Sequence, residues 1–220
     1  MRYEKGRKDA TRQRIVEMAA ERFRCDGIAA TGLAGIMKDA GLTNGAFYPH
    51  FQSKAELVRE SVATAMDSQA DKMREMIAAG GLEAAIAAYL SAEHRDGPGQ
   101  GCTLAALLPE LARQPLEARR VYAEGLLAMA ADLASALPPE TPDPESAALG
   151  IYATLIGTLQ LARALEGTAL SDRVLAAGTD AARALAGQRP RKLFGSTPTQ
   201  LRSIASAALT WALLATPGLY

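Results

Sequence analysis

The chain has 220 residues, of which 49% are apolar and 22% are charged, and its 24 basic and 24 acidic side chains balance. Such values fit an ordinary soluble globular chain, of one large domain or two small ones, and exclude a disordered or fibrous protein. The cysteines, Cys25 and Cys102, lie far apart without a CxxC spacing, so neither a disulfide framework nor a zinc site is predicted. The charged N-terminus lacks the apolar stretch of a secretion signal, and we expect a cytoplasmic protein.

The charges are unevenly distributed along the chain. Residues 1–60 carry 11 basic against 8 acidic side chains, whereas residues 61–187 carry 9 against 16. Residues 188–220 carry four basic side chains and no acidic one. A basic N-terminal region on an acidic body places any nucleic-acid contact in the first third of the chain.

Two amphipathic helices are predicted first. Over residues 11–26, Ile15, Ala19 and Phe23 recur at four-residue steps, the period of one buried helix face, and Gly27 ends the pattern. A second, short helix over residues 33–40 ends at Gly41, which can take the left-handed conformation of a tight turn.

A third helix is expected over residues 43–51. Thr43 is predicted to cap it through its hydroxyl, and Phe47 and Phe51 are predicted to pack on the first two helices. Two short helices around a glycine turn form a helix-turn-helix, which sets its second helix into the major groove of DNA. On the pattern alone, an ordinary packed helical hairpin remains an alternative. The free face is formed by Thr43, Asn44, Gly45, Ala46, Tyr48 and His50.

The stretch from residue 11 to about residue 61 resembles the TetR family of repressors, through the run IMKDAGLTNGAFYPHFQSKAEL at residues 36–57. The resemblance implies that Thr43, Asn44 and Ala46 face base edges or the groove. It also implies phosphate contacts from Thr31, Tyr48, His50 and Lys54. The chain departs from the family pattern in three places: Asn44 stands where lysine is common, Gly32 where a hydroxyl residue often caps the second helix, and Pro49 lies inside the third helix.

The body is predicted to be entirely helical. Ser53 and Glu56 have the spacing of a capping box, which begins a long helix to about residue 79, and Gly80 and Gly81 break the chain there. Further helices are predicted over residues 82–95, 102–114, 115–137, 144–166 and 171–187. The expected fold is therefore all-α with about nine helices: a helix-turn-helix domain over 1–52, a ligand-binding and dimerisation domain over 53–187, and an atypical basic tail over 188–220.

The resemblance implies a homodimer, formed by the last two helices, that binds a double-stranded DNA operator and a small-molecule effector. Apolar residues such as Ile151, Leu155 and Leu159, with small residues between them, suit close helix packing. The central helices would enclose the effector, although aromatic residues and methionines on helices usually pack in the core, and that interpretation is favoured for each residue proposed to line the pocket. These residues are Tyr89, His94, Cys102, Leu107, Tyr122, Met129 and Tyr152.

The predicted function is a transcriptional repressor that a small molecule releases from a palindromic operator; a constitutive DNA-binding protein without an effector is the alternative. An enzyme is disfavoured because the chain has two histidines, no nucleophile elbow and no phosphate loop. We expect no catalytic residues, cofactor or metal, and no membrane partner. Residues 188–220, whose uncharged run 204–220 is shorter than a membrane span, are expected to be dispensable for dimerisation and DNA binding.

Overall fold

A computed structural model describes residues 2–187 of the chain, and describes side chains from residue 6 onward. This part is all-helical, with eight α-helices and two short 3-10 turns. The helices are α1 (Arg2–Asp26), α2 (Leu33–Asp39), α3 (Lys54–Tyr89), α4 (Ala92–Asp96), α5 (Thr103–Leu111), α6 (Leu116–Ser135), α7 (Pro144–Ala164) and α8 (Ala169–Leu185). The predicted tail at residues 188–220 lies outside the described residues.

The N-terminal helices form as the sequence predicts, although α1 begins earlier than residue 11. Ile15, Ala19 and Phe23 are fully buried and lie on the face of α1 that packs on α2 and α3. Gly27 and Gly41 have φ angles of 84° and 69°, so each ends its helix in the left-handed region that favours glycine.

The prediction of a third helix over residues 43–51 is wrong, because no α-helix forms there. Only Asn44–Ala46 is helical, as a 3-10 turn, and a non-helical turn follows through residue 50. The Thr43 hydroxyl makes no capping hydrogen bond. Pro49 gives a physical reason, because proline disfavours helical geometry in the residue before it and supplies no N–H. The described residues therefore form eight α-helices rather than the predicted nine or so.

Helix α3 is divided where the sequence predicts. Gly81 has φ 76° and ψ 175°, which kinks the helix between its two segments. At the N-terminus the Ser53 hydroxyl accepts from Glu56 N at 3.1 Å, and the Glu56 carboxylate accepts from Gln52 N at 2.7 Å. The predicted cap at Ser53 is therefore confirmed, with the returning bond one residue earlier than in a standard capping box.

The predicted helix over residues 82–95 is interrupted at Leu90. The Ser91 hydroxyl accepts from His94 N at 3.1 Å and starts the separate helix α4. The helix predicted over residues 171–187 begins earlier, at Ala169, and the buried Ser171 hydroxyl donates to the Ala162 carbonyl at 2.7 Å.

Helices α7 and α8 form the most closely packed pair of the body. A Cβ at Gly178 would lie 2.2 Å from Thr158 Oγ1, so the two backbones approach closely at this glycine. Helix α7 is long and apolar enough to cross a membrane by length and composition alone. Ile151, Leu155 and Leu159 on this helix are fully buried by the surrounding helices, as in a core helix.

Candidate nucleic-acid interface and ligand cavities

The turn at residues 43–50 presents one face to solvent and buries the other. Phe47 and Phe51 are 1% exposed and stack with ring centroids 5.4 Å apart, whereas Tyr48 between them is 69% exposed. Thr43, Asn44 and Gly45 are exposed and Ala46 is half-buried. The two phenylalanines thus fix the turn to the core and leave its polar side free for a partner.

The structure places the predicted phosphate contacts in different surroundings. Tyr48 is free at the surface, but Thr31 is buried and its hydroxyl donates to the Gly27 carbonyl at 2.6 Å. Lys54 is half-buried and its Nζ donates to the Ile28 carbonyl at 2.5 Å. Thr31 and Lys54 therefore already hold the α1–α2 turn in place.

His50 is half-buried beside the basic face of α1. Burial lowers the pKa of its imidazole, and Lys8 and Arg12 lower that pKa further. Its Nδ1 is buried without a hydrogen-bond partner among the described residues. The depressed pKa favours a neutral ring at pH 7, which can act as a hydrogen-bond donor but carries no charge.

Arg12 and Glu60 form an ion pair beneath the exposed turn at residues 43–50. Sequence patterns did not predict this pair. The Arg12 guanidinium forms a two-armed ion pair with Glu60, with Nη2 and Oε1 2.5 Å apart, and lies 4.5 Å from the centroid of the Phe51 ring. The two residues are 48 positions apart, so only the tertiary structure brings them together. The pair fixes α1 against α3 directly under the exposed turn.

Glu110 of α5 joins the N-terminal region to the body. Its carboxylate accepts from Ile28 N at 3.1 Å and from Ala29 N at 2.9 Å, in the turn that follows α1. The α1–α2 turn is thus held by a carboxylate from the body as well as by Lys54. Sequence analysis missed this contact, which joins residues more than 80 positions apart.

The predicted pocket residues do not share one pocket. A cavity of about 650 Å³, here called the head–body cavity, lies between α1, α3 and the segment 100–102, and Tyr89, His94 and Cys102 line it. A second cavity of about 440 Å³, here called the body cavity, lies between α5, α6 and α7, and Tyr122 and Tyr152 line it. Leu107 and Met129 are buried and line neither cavity.

The body cavity is apolar except for a few polar groups. Leu104, Leu111 and Ile156 form much of its wall, and Arg119 and Gln160 lie among its lining residues. The hydroxyls of Tyr122 and Tyr152, which also line the cavity, are buried and have no hydrogen-bond partner among the described residues. Burial raises the pKa of both phenols, so each is a neutral donor at physiological pH.

The segment that contains the exposed turn is similar to known proteins. The family model for bacterial regulatory proteins of the tetR family matches residues 15–61. The transcriptional regulator TtgR of Pseudomonas putida is 51% identical over 49 residues, which are 22% of this chain and 23% of TtgR. Residues 15–61 therefore carry the sequence signature of the tetR-family regulators.

The relationship to TetR-family structures extends over the body. A TetR transcriptional regulator from Chloroflexus aurantiacus superposes with a TM-score of 0.62 at 27% identity, covering 86% of this chain and 98% of that one. A TetR-family regulator from Cytophaga hutchinsonii superposes with a TM-score of 0.68 at 24% identity, covering 84% and 98%. The sequence match to the curated relative TtgR spans only about a quarter of its length.

The TetR family is one of DNA-binding transcriptional regulators rather than enzymes, and the matched segment contains all eight predicted DNA contacts. The predicted recognition of the family and the all-α fold are therefore confirmed, and the individual contacts remain predictions. They lie on the α1–α2 turn, the exposed turn and the start of α3.

The TetR-family resemblance predicts a dimer face on α7 and α8. The structure shows that other residues of these helices would have to form it. Ile151, Leu155 and Leu159 are fully buried within the protomer and cannot contact a partner. Exposed apolar and small side chains lie on another face of the same helices. They are Ala153, Leu161 and Ala164 on α7, and Leu170, Ala177, Ala181 and Leu185 on α8.

Proposed function

We propose that this protein is a homodimeric transcriptional repressor that binds a palindromic DNA operator through the exposed turn at residues 43–50 and is released from it by a small molecule. The observation that carries the proposal is the exposed polar face of this turn, fixed from behind by two buried phenylalanines. Asn44 can pair with an adenine edge and Thr43 can contact a thymine methyl. Tyr48 and His50 would contact phosphates, which position the protein without reading sequence.

Support for a dimer comes from the exposed face of α7 and α8. Leu161 is 58% exposed, Leu170 47% and Leu185 45%. Pairing would cover these apolar groups and set two exposed turns one helical repeat apart on the duplex, about 34–36 Å.

Support for an effector comes from the body cavity. Its size lies within the range of small-molecule sites, and the two unpartnered tyrosine hydroxyls would gain hydrogen bonds from a bound ligand. Helix α5 carries both Leu104 of this cavity and Glu110, which holds the α1–α2 turn. A ligand that displaces α5 would therefore move the α1–α2 turn of the DNA-binding region through Glu110. A cytoplasmic site of action follows from this function.

Selection of bound fragments from random DNA by the purified protein tests the proposal directly. We expect a palindromic consensus with half-sites about one helical turn apart, and an affinity that falls steeply with salt. Asn44→Ala should weaken binding about tenfold or more and relax the sequence preference at one position of each half-site. Arg113→Gln, an exposed change outside the matched segment, should leave binding unchanged.

Three results would contradict parts of this proposal. Failure to enrich any sequence would refute operator binding, and a non-repeated consensus bound by one protomer would refute the dimer. An operator affinity that stays constant across a broad small-molecule screen would favour a constitutive DNA-binding protein without an effector.

A further inference from the structure

The head–body cavity is separate from the body cavity, and its walls come from both parts of the protein. One wall is a face of α1, in the N-terminal region, and the other is a face of α3, with segment 100–102 at one end. The α1 wall carries Gln13, Glu17, Glu21 and Arg24, and the α3 wall carries Ser68, Gln69 and Lys72.

One part of the cavity wall is apolar and suits a hydrocarbon body. Met73 and Tyr89 are buried, and Met18 and Met76 are half-buried, among its lining residues. The Tyr89 hydroxyl is buried without a hydrogen-bond partner among the described residues, and Tyr89 is 3% exposed. Methionine side chains are flexible and adapt to ligands of irregular shape.

The end of the cavity near segment 100–102 is ringed by cations. Arg24 and Lys72 line the cavity, and Arg163 lies directly behind Gly101, where an added Cβ would be 2.8 Å from its Nη2. Within residues 6–187, none of the three has a carboxylate oxygen within 4.0 Å. Other basic side chains in the same part of the chain, such as Arg14 and Lys38, also have no ion pair, but they are exposed, whereas Arg24 and Arg163 are half-buried.

Burial makes the unpaired charges of Arg24 and Arg163 unfavourable, whereas Lys72 is exposed. Arg24 is half-buried, its Nε donates to the Gly99 carbonyl at 2.7 Å, and burial lowers the pKa of its guanidinium. Burial likewise lowers the pKa of Arg163, whose Nη1 is buried without a hydrogen-bond partner among the described residues. A buried charge is stabilised by an opposite charge with good hydrogen-bond geometry, which an anionic ligand group would supply.

The carboxylates of the cavity lie on the α1 wall. Glu17 is exposed and accepts from the Gln13 amide at 2.9 Å. Glu21 is half-buried, and its charge raises the pKa of Arg24 from a distance without forming an ion pair. At the segment 100–102 end, His94 is held neutral by burial, with Lys72 and Arg163 also lowering its pKa. Arg24, Lys72 and Arg163 thus outnumber the one carboxylate of the described residues near that end, Glu21, whose Oε1 would lie 3.6 Å from a Cβ at Gly99.

We propose that the head–body cavity binds a small amphipathic carboxylate, with its anionic group between Arg24 and Lys72 and its hydrocarbon body against Met73, Met76 and Tyr89. This is a second ligand site, distinct from the body cavity. Its volume of about 650 Å³ accommodates a medium-chain acid. Because α1 forms one wall, occupation changes how α1 sits against α3 and so weakens operator binding; this consequence rests on the proposed function.

Calorimetric titration of the full chain with decanoate tests the site without DNA. We expect saturable binding, with decanol and decyltrimethylammonium each binding at least about tenfold more weakly. Lys72→Gln should weaken decanoate binding about tenfold, and Arg24→Gln by at least as much. Lys72 makes no hydrogen bond or ion pair with any other described residue, so its variant should fold normally. Arg113→Gln should bind decanoate as the natural chain does.

Ala123→Phe, which fills the body cavity, distinguishes the two sites. Decanoate binding that survives this change and falls with Lys72→Gln supports the proposal. Binding that is lost with Ala123→Phe and unchanged by Lys72→Gln would overturn it, as would tighter binding of the cation or no binding of decanoate.

Operator binding then provides a separate readout. Decanoate should lower the operator affinity of the natural chain but not that of Lys72→Gln. If the chain binds no operator, the proposed function fails while the calorimetric result still decides the site. If decanoate binds as expected and leaves the operator affinity unchanged, the coupling through α1 is refuted.

Discussion

Two buried threonines show how the N-terminal region and the body differ. Thr31, beside α2, donates its hydroxyl to the Gly27 carbonyl at 2.6 Å, whereas the hydroxyl of Thr103, at the start of α5, has no partner among the described residues. The same contrast extends to neighbouring groups. Lys54 and Arg12 are bonded around the exposed turn, while the hydroxyls of Tyr89, Tyr122 and Tyr152 are buried and unpaired.

The functions proposed for the two regions account for the difference. A DNA-binding surface must be held in one geometry before it meets a duplex, so its supporting groups bond to one another. A ligand site keeps unpaired polar groups that gain partners only when the ligand arrives. Among the described side chains of residues 6–52, His50 is the exception, since its Nδ1 is buried and unpaired. That atom lies at the edge of the predicted DNA contact.

The largest expected effect comes from removing the anchor of the exposed turn. Phe47→Ala should lower the free energy of unfolding by about 3–5 kcal/mol, because Phe47 is 1% exposed in a filled core. Leu104→Ala, beside the body cavity, should cost nearer to about 2 kcal/mol, since Leu104 already faces an unfilled space. Denaturant unfolding measures both.

Tyr48→Ala provides the control for Phe47→Ala. Tyr48 is 69% exposed, so its loss should change the unfolding free energy by less than about 0.5 kcal/mol while weakening DNA binding. Equal destabilisation by Phe47→Ala and Tyr48→Ala would show that the turn is not anchored as described.

A second prediction concerns the link between the two regions. Glu110→Gln replaces a carboxylate that accepts from Ile28 N and Ala29 N, and the neutral amide retains one acceptor oxygen. We expect a loss of about 1–3 kcal/mol in the unfolding free energy and faster hydrogen exchange at those two amides. Glu117→Gln, an exposed acidic residue at the start of α6, is the matched control and should change neither.

If hydrogen exchange at the amides of residues 28 and 29 is unchanged in Glu110→Gln, then Glu110 does not stabilise the α1–α2 turn. The route from the body cavity to the exposed turn would then have to run through other contacts, such as those of α3 with α1.

Local patterns in the sequence predicted what depends on neighbouring residues. The cap at Ser53, the break at Gly81 and the buried face of α1 each follow from a few consecutive positions. The contacts of Arg12 with Glu60 and of Glu110 with Ile28 join residues 48 and 82 positions apart, and no spacing rule identifies them. The division of the predicted pocket into two cavities depends on the same long-range packing.

The failed prediction at residues 43–51 has a different origin. The apolar spacing of Phe47 and Phe51 was read correctly, since both side chains are buried. A four-residue step is nevertheless compatible with a 3-10 turn followed by an irregular turn, and Pro49 favours that form. Burial was therefore easier to predict than helical geometry.

Two isosteric substitutions test the difference between the bonded hydroxyl of Thr31 and the unpaired hydroxyl of Thr103. Thr31→Val removes a bonded hydroxyl and leaves the Gly27 carbonyl without that donor, so it should cost about 1 kcal/mol. Thr103→Val removes an unpaired buried hydroxyl and should be neutral or slightly stabilising. The unfolding free energies of the two variants measure the difference. A loss of equal size in both would mean that the Thr103 hydroxyl has a partner, such as an ordered water.

The smallest expected effect lies at the start of α2. Gly32 is its N-cap residue, with φ −89° and ψ 148°, and no side chain bonds to the exposed N–H groups of the first turn. Gly32→Ser adds a hydroxyl acceptor in a backbone conformation that serine adopts readily, and a Cβ there would meet no atom within 4 Å. We expect a gain of a few tenths of a kcal/mol in the free energy of unfolding, which raises the melting temperature by about 1 °C.

Gly32→Ala is the control for Gly32→Ser. It adds the Cβ without the hydroxyl, so it separates the effect of the cap from the loss of backbone freedom in the unfolded chain. If alanine stabilises the protein as much as serine, the missing cap is not what limits α2, and the bonds from Lys54 and Glu110 to the preceding turn already determine the stability of this helix.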